Sequence, residues 1–198
     1  MIGLAAFLVA QASVGAAPGA ALTEATMRAG SFCETMLVPG PHPVPKGVEM
    51  FMGPSDHPPQ LRSMDKAPKA LLNASKPLGL VTSAARFPSS EGDAWVVIIG
   101  NGEFCVVSAY TGPHGGTVIY NANSLMMADK SWARVPSADA PWNNPPQKGA
   151  TSTFRKRDTV GTLEAVLLAA FPEPVSITDT FAFAIVYHHP QAAAGATK

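Results

Sequence analysis

Cys105 stands inside an apolar run, WVVIIGNGEFCVVSAY (residues 95–110), and Cys33 is the only other cysteine of the 198-residue chain. Three roles are open to Cys105: a nucleophile, a metal ligand, or half of a disulfide. A nucleophilic thiol needs a lowered pKa, solvent access and usually a histidine beside it. His114 is the histidine that follows, but it lies between Pro113 and Gly115 and reads as a loop residue. Phe104, Val106 and Val107 surround the thiol with apolar groups, which raise its pKa and hide it. A disulfide between Cys33 and Cys105 is the expected role, provided the chain reaches an oxidising compartment.

Metal chemistry has its own candidates. Met50, Met52, His57 and Met64 lie close together in sequence. Thioether and imidazole ligands of this kind suit Cu(I). The spacing matches no strong metal signature, methionine is a common filler of irregular cores, and Phe51 and Leu61 nearby favour burial. The expectation is therefore no metal and no cofactor. Met126-Met127 reads as part of a helical core, and His188-His189 as two exposed imidazoles at a strand end.

Motifs for other reactions are missing. GPHGG and GNGE lack the spacing of a phosphate-binding loop, and neither G-x-S-x-G nor H-E-x-x-H occurs. Glu91, Asp93, Glu103 and Asp129 read as turn or surface residues, so no catalytic residue is assigned.

The composition narrows the setting. Charged residues make up 14% of the chain, against about a quarter in ordinary soluble domains. Lys plus Arg equals Asp plus Glu at 14 each, so no electrostatic footprint for nucleic acid exists. The first residues, MIGLAAFLVAQASVGA, combine an apolar run with small-x-small sites. Residues 1–16 therefore read as a signal peptide, although no Lys or Arg precedes Arg28. The run is shorter than the ~20 apolar residues that span a bilayer. The mature chain is expected to carry no transmembrane segment and to be periplasmic or secreted.

The elements that must position these residues follow from pattern. Leu22–Met36 reads as a helix capped by Thr23, with Gly30 as a weak point. Glu49–Met52 reads as a short turn, 68–74 as a short helix and 78–86 as an irregular strand. Asn101-Gly102 between two apolar runs is a strong hairpin signal, and a two-residue loop sets Ile99 opposite Phe104 and Ile98 opposite Cys105. Both hairpin faces are apolar, so both must be covered. Residues 117–128 carry apolar side chains at helical spacing, with Asn121 and Ser124 on the opposite face. Short strands are expected over 132–135 and 151–157. Residues 163–171 suit either state and are assigned to a strand, and 177–187 alternates as a strand should.

These elements predict a single α+β domain over 22–187, with a flexible tail over 188–198. Its antiparallel sheet would be built around a central hairpin (95–109) with C-terminal strands, and helices would pack on it. The expected function is a non-catalytic binding or structural accessory of the cell envelope, with an envelope protein or a small molecule as partner. The alternatives are a Met/His copper-binding module and a hydrolase whose site is assembled from distant residues.

Overall fold

Apolar residues at 22, 25, 29, 32 and 33 recur at helical spacing, and they form the buried stripe of a helix, α1 (Ala20–Met36). The computed structural model describes residues 17–52, 62–100, 102–110, 115–136, 150–168 and 181–190. After α1 come strands β1 (Glu49–Met52) and β2 (Arg62–Ser63), then the short helix α2 (Lys69–Ser75). A meander follows: β3 (Val81–Ser89), β4 (Gly92–Ile99) and β5 (Phe104–Tyr110). Helix α3 (Gly115–Ala128) leads to a second meander: β6 (Ala133–Val135), β7 (Ala150–Arg157), β8 (Thr162–Leu168) and β9 (Phe181–His188).

The nine strands among the described residues join one sheet in the order β2-β1-β3-β4-β5-β9-β8-β7-β6. Eight of them form an antiparallel sheet, and β2 adds to its edge in parallel with β1. With three helices, this is an α+β architecture. Strand β4 pairs with β5 so that Ile99 faces Phe104 and Ile98 faces Cys105, the register that the Asn101-Gly102 turn requires. Gly100 (φ 61°) and Gly102 (φ 83°), between the two strands, take the left-handed backbone that glycine adopts at no steric cost. Asn101 lies outside the described residues.

The sheet buries both faces, as two apolar faces demand. On one face α1 and α3 cover Val96, Ile98, Cys105, Val107, Phe183, Ile185 and Tyr187. On the other, Phe51, Ala67 and Leu71 pack with Trp95, Val97, Ile99 and Val106. The alternating residues Phe183, Ile185 and Tyr187 are thus core, all 1% exposed or less.

Four local expectations are corrected. Glu49–Met52 is a strand: it pairs with β3, and alternation sends Phe51 to the second face, with its ring 5.3 Å from that of Trp95. Thr23 does not cap α1. It is buried one turn inside, where its hydroxyl donates to the Gly19 carbonyl at 2.7 Å. Asn121 faces α1, donating to Thr23 Oγ1 at 3.4 Å, while Ser124 is exposed. Met126 is core at 1% exposure, but Met127 is 57% exposed, because adjacent helix positions point about 100° apart.

Candidate functional site

Cys33 and Cys105 form a disulfide spanning 72 residues, with both side chains fully buried. Cys105 sits on the sheet face beneath α1, and Cys33 is in the last turns of that helix. Neither thiol is free to act as a nucleophile. The bridge ties the helix to the sheet near one end, and a carboxylate holds the other. Glu91, in the turn between β3 and β4, accepts backbone N–H groups from Gly19 (2.8 Å), Ala21 (2.7 Å) and Leu22 (3.2 Å). The first N–H groups of a helix have no partner within it, and the helix dipole favours a negative charge there. Glu91 is a turn residue, as its sequence context suggests, but it also serves as the helix cap that Thr23 does not provide.

The end of the sheet near the α1 C-terminus gathers most of the remaining chemistry. A cleft of about 520 Å³ opens between the loop after α1 and the β7–β8 turn. Val38, Pro39, Pro41 and Leu163 give it apolar walls, and Glu34, His42, Lys156, Arg157 and Asp158 supply charge and hydrogen bonds. The Pro-rich sequence after α1 prevents the helix from continuing and leaves a wall with few backbone donors. Lys156 ion-pairs with Glu34, and its ammonium sits 4.7 Å from the centre of the Trp132 ring. Asp158 accepts the N–H groups of Val160 and Gly161 and contacts His189 Nε2 at 2.7 Å. These hydrogen bonds outweigh burial and hold its carboxyl below the usual range. Two groups keep spare capacity. His42 Nδ1 is buried with no hydrogen-bond partner among the described residues, and the exposed Arg157 guanidinium is not engaged by any of them.

His188 and His189 are not two exposed imidazoles. Consecutive residues of a strand point to opposite faces, and each histidine meets a different carboxylate. His188 is 8% exposed on the second face, and its Nε2 lies 3.5 Å from Glu164 Oε2. Glu164 is fully buried in the apolar run of β8 and receives a 3.2 Å hydrogen bond from Arg155. Burial dominates both titrations. It pushes Glu164 up despite Arg155, and it lowers His188 to about 4. His188 is thus neutral at pH 7, and its contact with Glu164 is not an ion pair of two full charges. The row Arg155, Glu164, His188 and Phe104 runs across neighbouring strands on the face away from the cleft. Sequence reasoning missed it, although the one clue was plain: a lone carboxylate in LEAVLL, between residues that belong in a core.

Two of the copper candidates lie on opposite sides of the sheet. Met50 packs against the core on the α1 side, whereas Met64 packs against the cluster on the other face. Met52 shares the parity of Met50 along β1, and His57 lies outside the described residues, as does His114. No group of three or more His, Cys, Asp or Glu side chains among the described residues is placed to hold a metal ion. Asp93 pairs with Arg86 at 2.7 Å, and Asp129 accepts the Ser131 N–H at 2.8 Å. Glu103 is an exposed residue of the β4–β5 turn. Among the described residues no helix is long and apolar enough to cross a membrane. No family model, no curated protein and no solved structure matches this chain.

Proposed function

We propose that this chain is an exported binding module of the cell envelope, periplasmic or secreted, that holds a small anionic molecule in the cleft beside α1. On this reading residues 1–16 are the signal peptide and 22–187 are one domain built around the hairpin 95–109, with His188 and His189 continuing its last strand ahead of a tail. The disulfide and the lack of a membrane-spanning helix among the described residues are compatible with life outside the cytoplasm.

The observation that carries the ligand reading is the spare capacity of the cleft. Its size falls within the range of roughly 300–1,000 Å³ typical of small-molecule sites. Glu34 and Lys156 neutralise each other, and Asp158 is satisfied by two backbone N–H groups and His189. Arg157 keeps its donors, and His42 keeps one ring nitrogen. A planar guanidinium binds a carboxylate through two parallel hydrogen bonds, and the proline and leucine walls suit an apolar body. A small carboxylic acid with a hydrophobic portion fits both. The carboxyl and imidazole whose titration burial shifts, Glu164 and His188, lie across the sheet from the cleft, which favours binding over hydrolysis there.

A thermal-shift series with the oxidised protein tests this. Aliphatic and aromatic monocarboxylates should raise the melting temperature, and the matching amines and amides should not. Arg157→Ala and His42→Ala should each remove the shift without lowering the melting temperature of the free protein. A shift that survives both substitutions, or equal shifts from acids and amides, would sink the cleft reading. Intact mass with and without reductant tests the compartment: a processed chain without free thiols supports export, and a full-length reduced chain overturns it.

A further inference from the structure

Helices α1 and α3 enclose between them a groove of about 440 Å³ that shares no lining residue with the cleft. That volume lies within the range of roughly 300–1,000 Å³ typical of small-molecule sites. Ala20, Met27 and Leu125 give the groove apolar walls, and among the described residues Glu24 is the one charged side chain that lines it. Helix α3 contributes no charge in any of its fourteen positions. Arg28, one turn beyond Glu24 on α1, is exposed and does not line the groove. The Glu24 carboxylate has no ion-pair or hydrogen-bond partner among the described residues.

The hydroxyl groups of the groove have their hydrogens committed elsewhere. Thr23 Oγ1 donates to the Gly19 carbonyl at 2.7 Å, so toward Asn121, 3.4 Å away, it acts as an acceptor. That fixes the Asn121 amide: Nδ2 faces Thr23, and Oδ1 accepts from no described residue. Ser124 Oγ donates to the Tyr120 carbonyl at 3.0 Å, which likewise leaves its oxygen to accept. Glu24, Asn121 and Ser124 thus bring one negative charge and three sets of open acceptor oxygens to the groove. The positive end of the α1 dipole, which would repel a cation nearby, is already met by the Glu91 carboxylate at Gly19, Ala21 and Leu22. An ammonium group is the complement of such a set, since it carries a full positive charge and donors only. We infer that the α1–α3 groove binds a primary organic ammonium with an apolar chain, its nitrogen on Glu24 and its chain along Met27 and Leu125.

Hexylamine, which is protonated at pH 7, is the probe. A ligand of its size in an open groove should bind with a Kd on the order of 10 mM. At about 1 mM it would leave a melting temperature unmoved. The readout is therefore the methyl resonance of Met27 in carbon-13-labelled, disulfide-bonded protein, titrated to about 100 mM amine at constant ionic strength. The signal should move saturably with hexylamine and much less with hexanol or hexanoate. Glu24→Gln keeps a good helix former at an exposed position and should raise the Kd about three- to fivefold, the scale of an exposed charge pair. Arg157→Ala, in the separate cleft, should leave the Kd unchanged. A Met27 signal that stays in place throughout overturns the inference, as does an equal response to hexanol. A Kd indifferent to Glu24→Gln, or one that follows Arg157→Ala instead, overturns it as well.

Discussion

Gly30 of helix α1 and Tyr187 of strand β9 meet so closely that a Cβ at position 30 would stand 2.4 Å from the tyrosine hydroxyl oxygen. Glycine in a helix costs roughly 1 kcal/mol relative to alanine, so its presence needs a reason. The reason is packing: Tyr187 is among the largest fully buried side chains, and only a bare Cα leaves room for its ring end. Gly30→Ala should therefore destabilise the fold by about 1–3 kcal/mol, against its helix propensity. Tyr187→Phe in the same background removes the clashing oxygen and should recover part of the loss. Urea unfolding of the two single variants and the double variant checks this, and strictly additive losses would refute it.

The disulfide closes a loop of 72 residues, for which chain entropy gives about 4 kcal/mol. The double variant Cys33→Ala/Cys105→Ala should lose stability of that order while keeping the same circular dichroism spectrum under native conditions. Equal unfolding midpoints with and without the bridge would show that it contributes nothing.

Glu91→Ala leaves N–H groups at the start of α1 without their carboxylate and should cost roughly 1–2 kcal/mol, the usual scale of a lost cap. Glu91→Gln keeps an acceptor but loses the charge, so it should fall between the two. Hydrogen exchange should speed up at the first turn of α1 before anywhere else in that helix.

His188 makes stability depend on pH. Its folded pKa of about 4 lies below the ordinary value of 6.5, so its neutral form is favoured in the fold. The stabilisation is present above pH 6.5 and is lost as pH falls toward 4, by roughly 3 kcal/mol if the full shift is realised. Glu164 acts in the opposite sense. Its raised pKa favours the protonated carboxyl, so its contribution is largest below pH 4.5 and declines as pH rises through the folded pKa. Denaturant unfolding between pH 7 and pH 4 should show a steeper acid loss in wild type than in His188→Gln. Parallel pH profiles would remove His188 from the account.

How much of this was visible in the sequence depends on the range of the interaction. The β4–β5 register, the helical spacing in α1 and the alternation of Phe183, Ile185 and Tyr187 follow from local patterns, and each has its counterpart in the structure. Residues 163–168 are strand despite the helix-forming composition of LEAVLL, since pairing with β7 and β9 overrides propensity. What escaped was set by distant partners. Gly30 looks like a defect until Tyr187 is placed, and Glu91 looks like a plain turn residue until α1 is laid against it. The cleft was equally hidden, because its walls come from residues 34–42 and 156–163, which no local pattern connects.

The attachment of α1 at two points also bears on the order of assembly. Both anchors, Glu91 and Cys105, follow the α1 residues they hold, Ala21 and Cys33, by about 70 residues in the chain. A chain made from its N-terminus delivers α1 before both anchors and cannot secure it until the β3–β4 turn and β5 have followed. An isolated helix of 17 residues is marginal in water, so for that interval α1 is an unmoored segment with an unpaired thiol. Helix α1 is then completed only after these later elements, and until Cys105 reaches it Cys33 is open to exchange with a foreign disulfide.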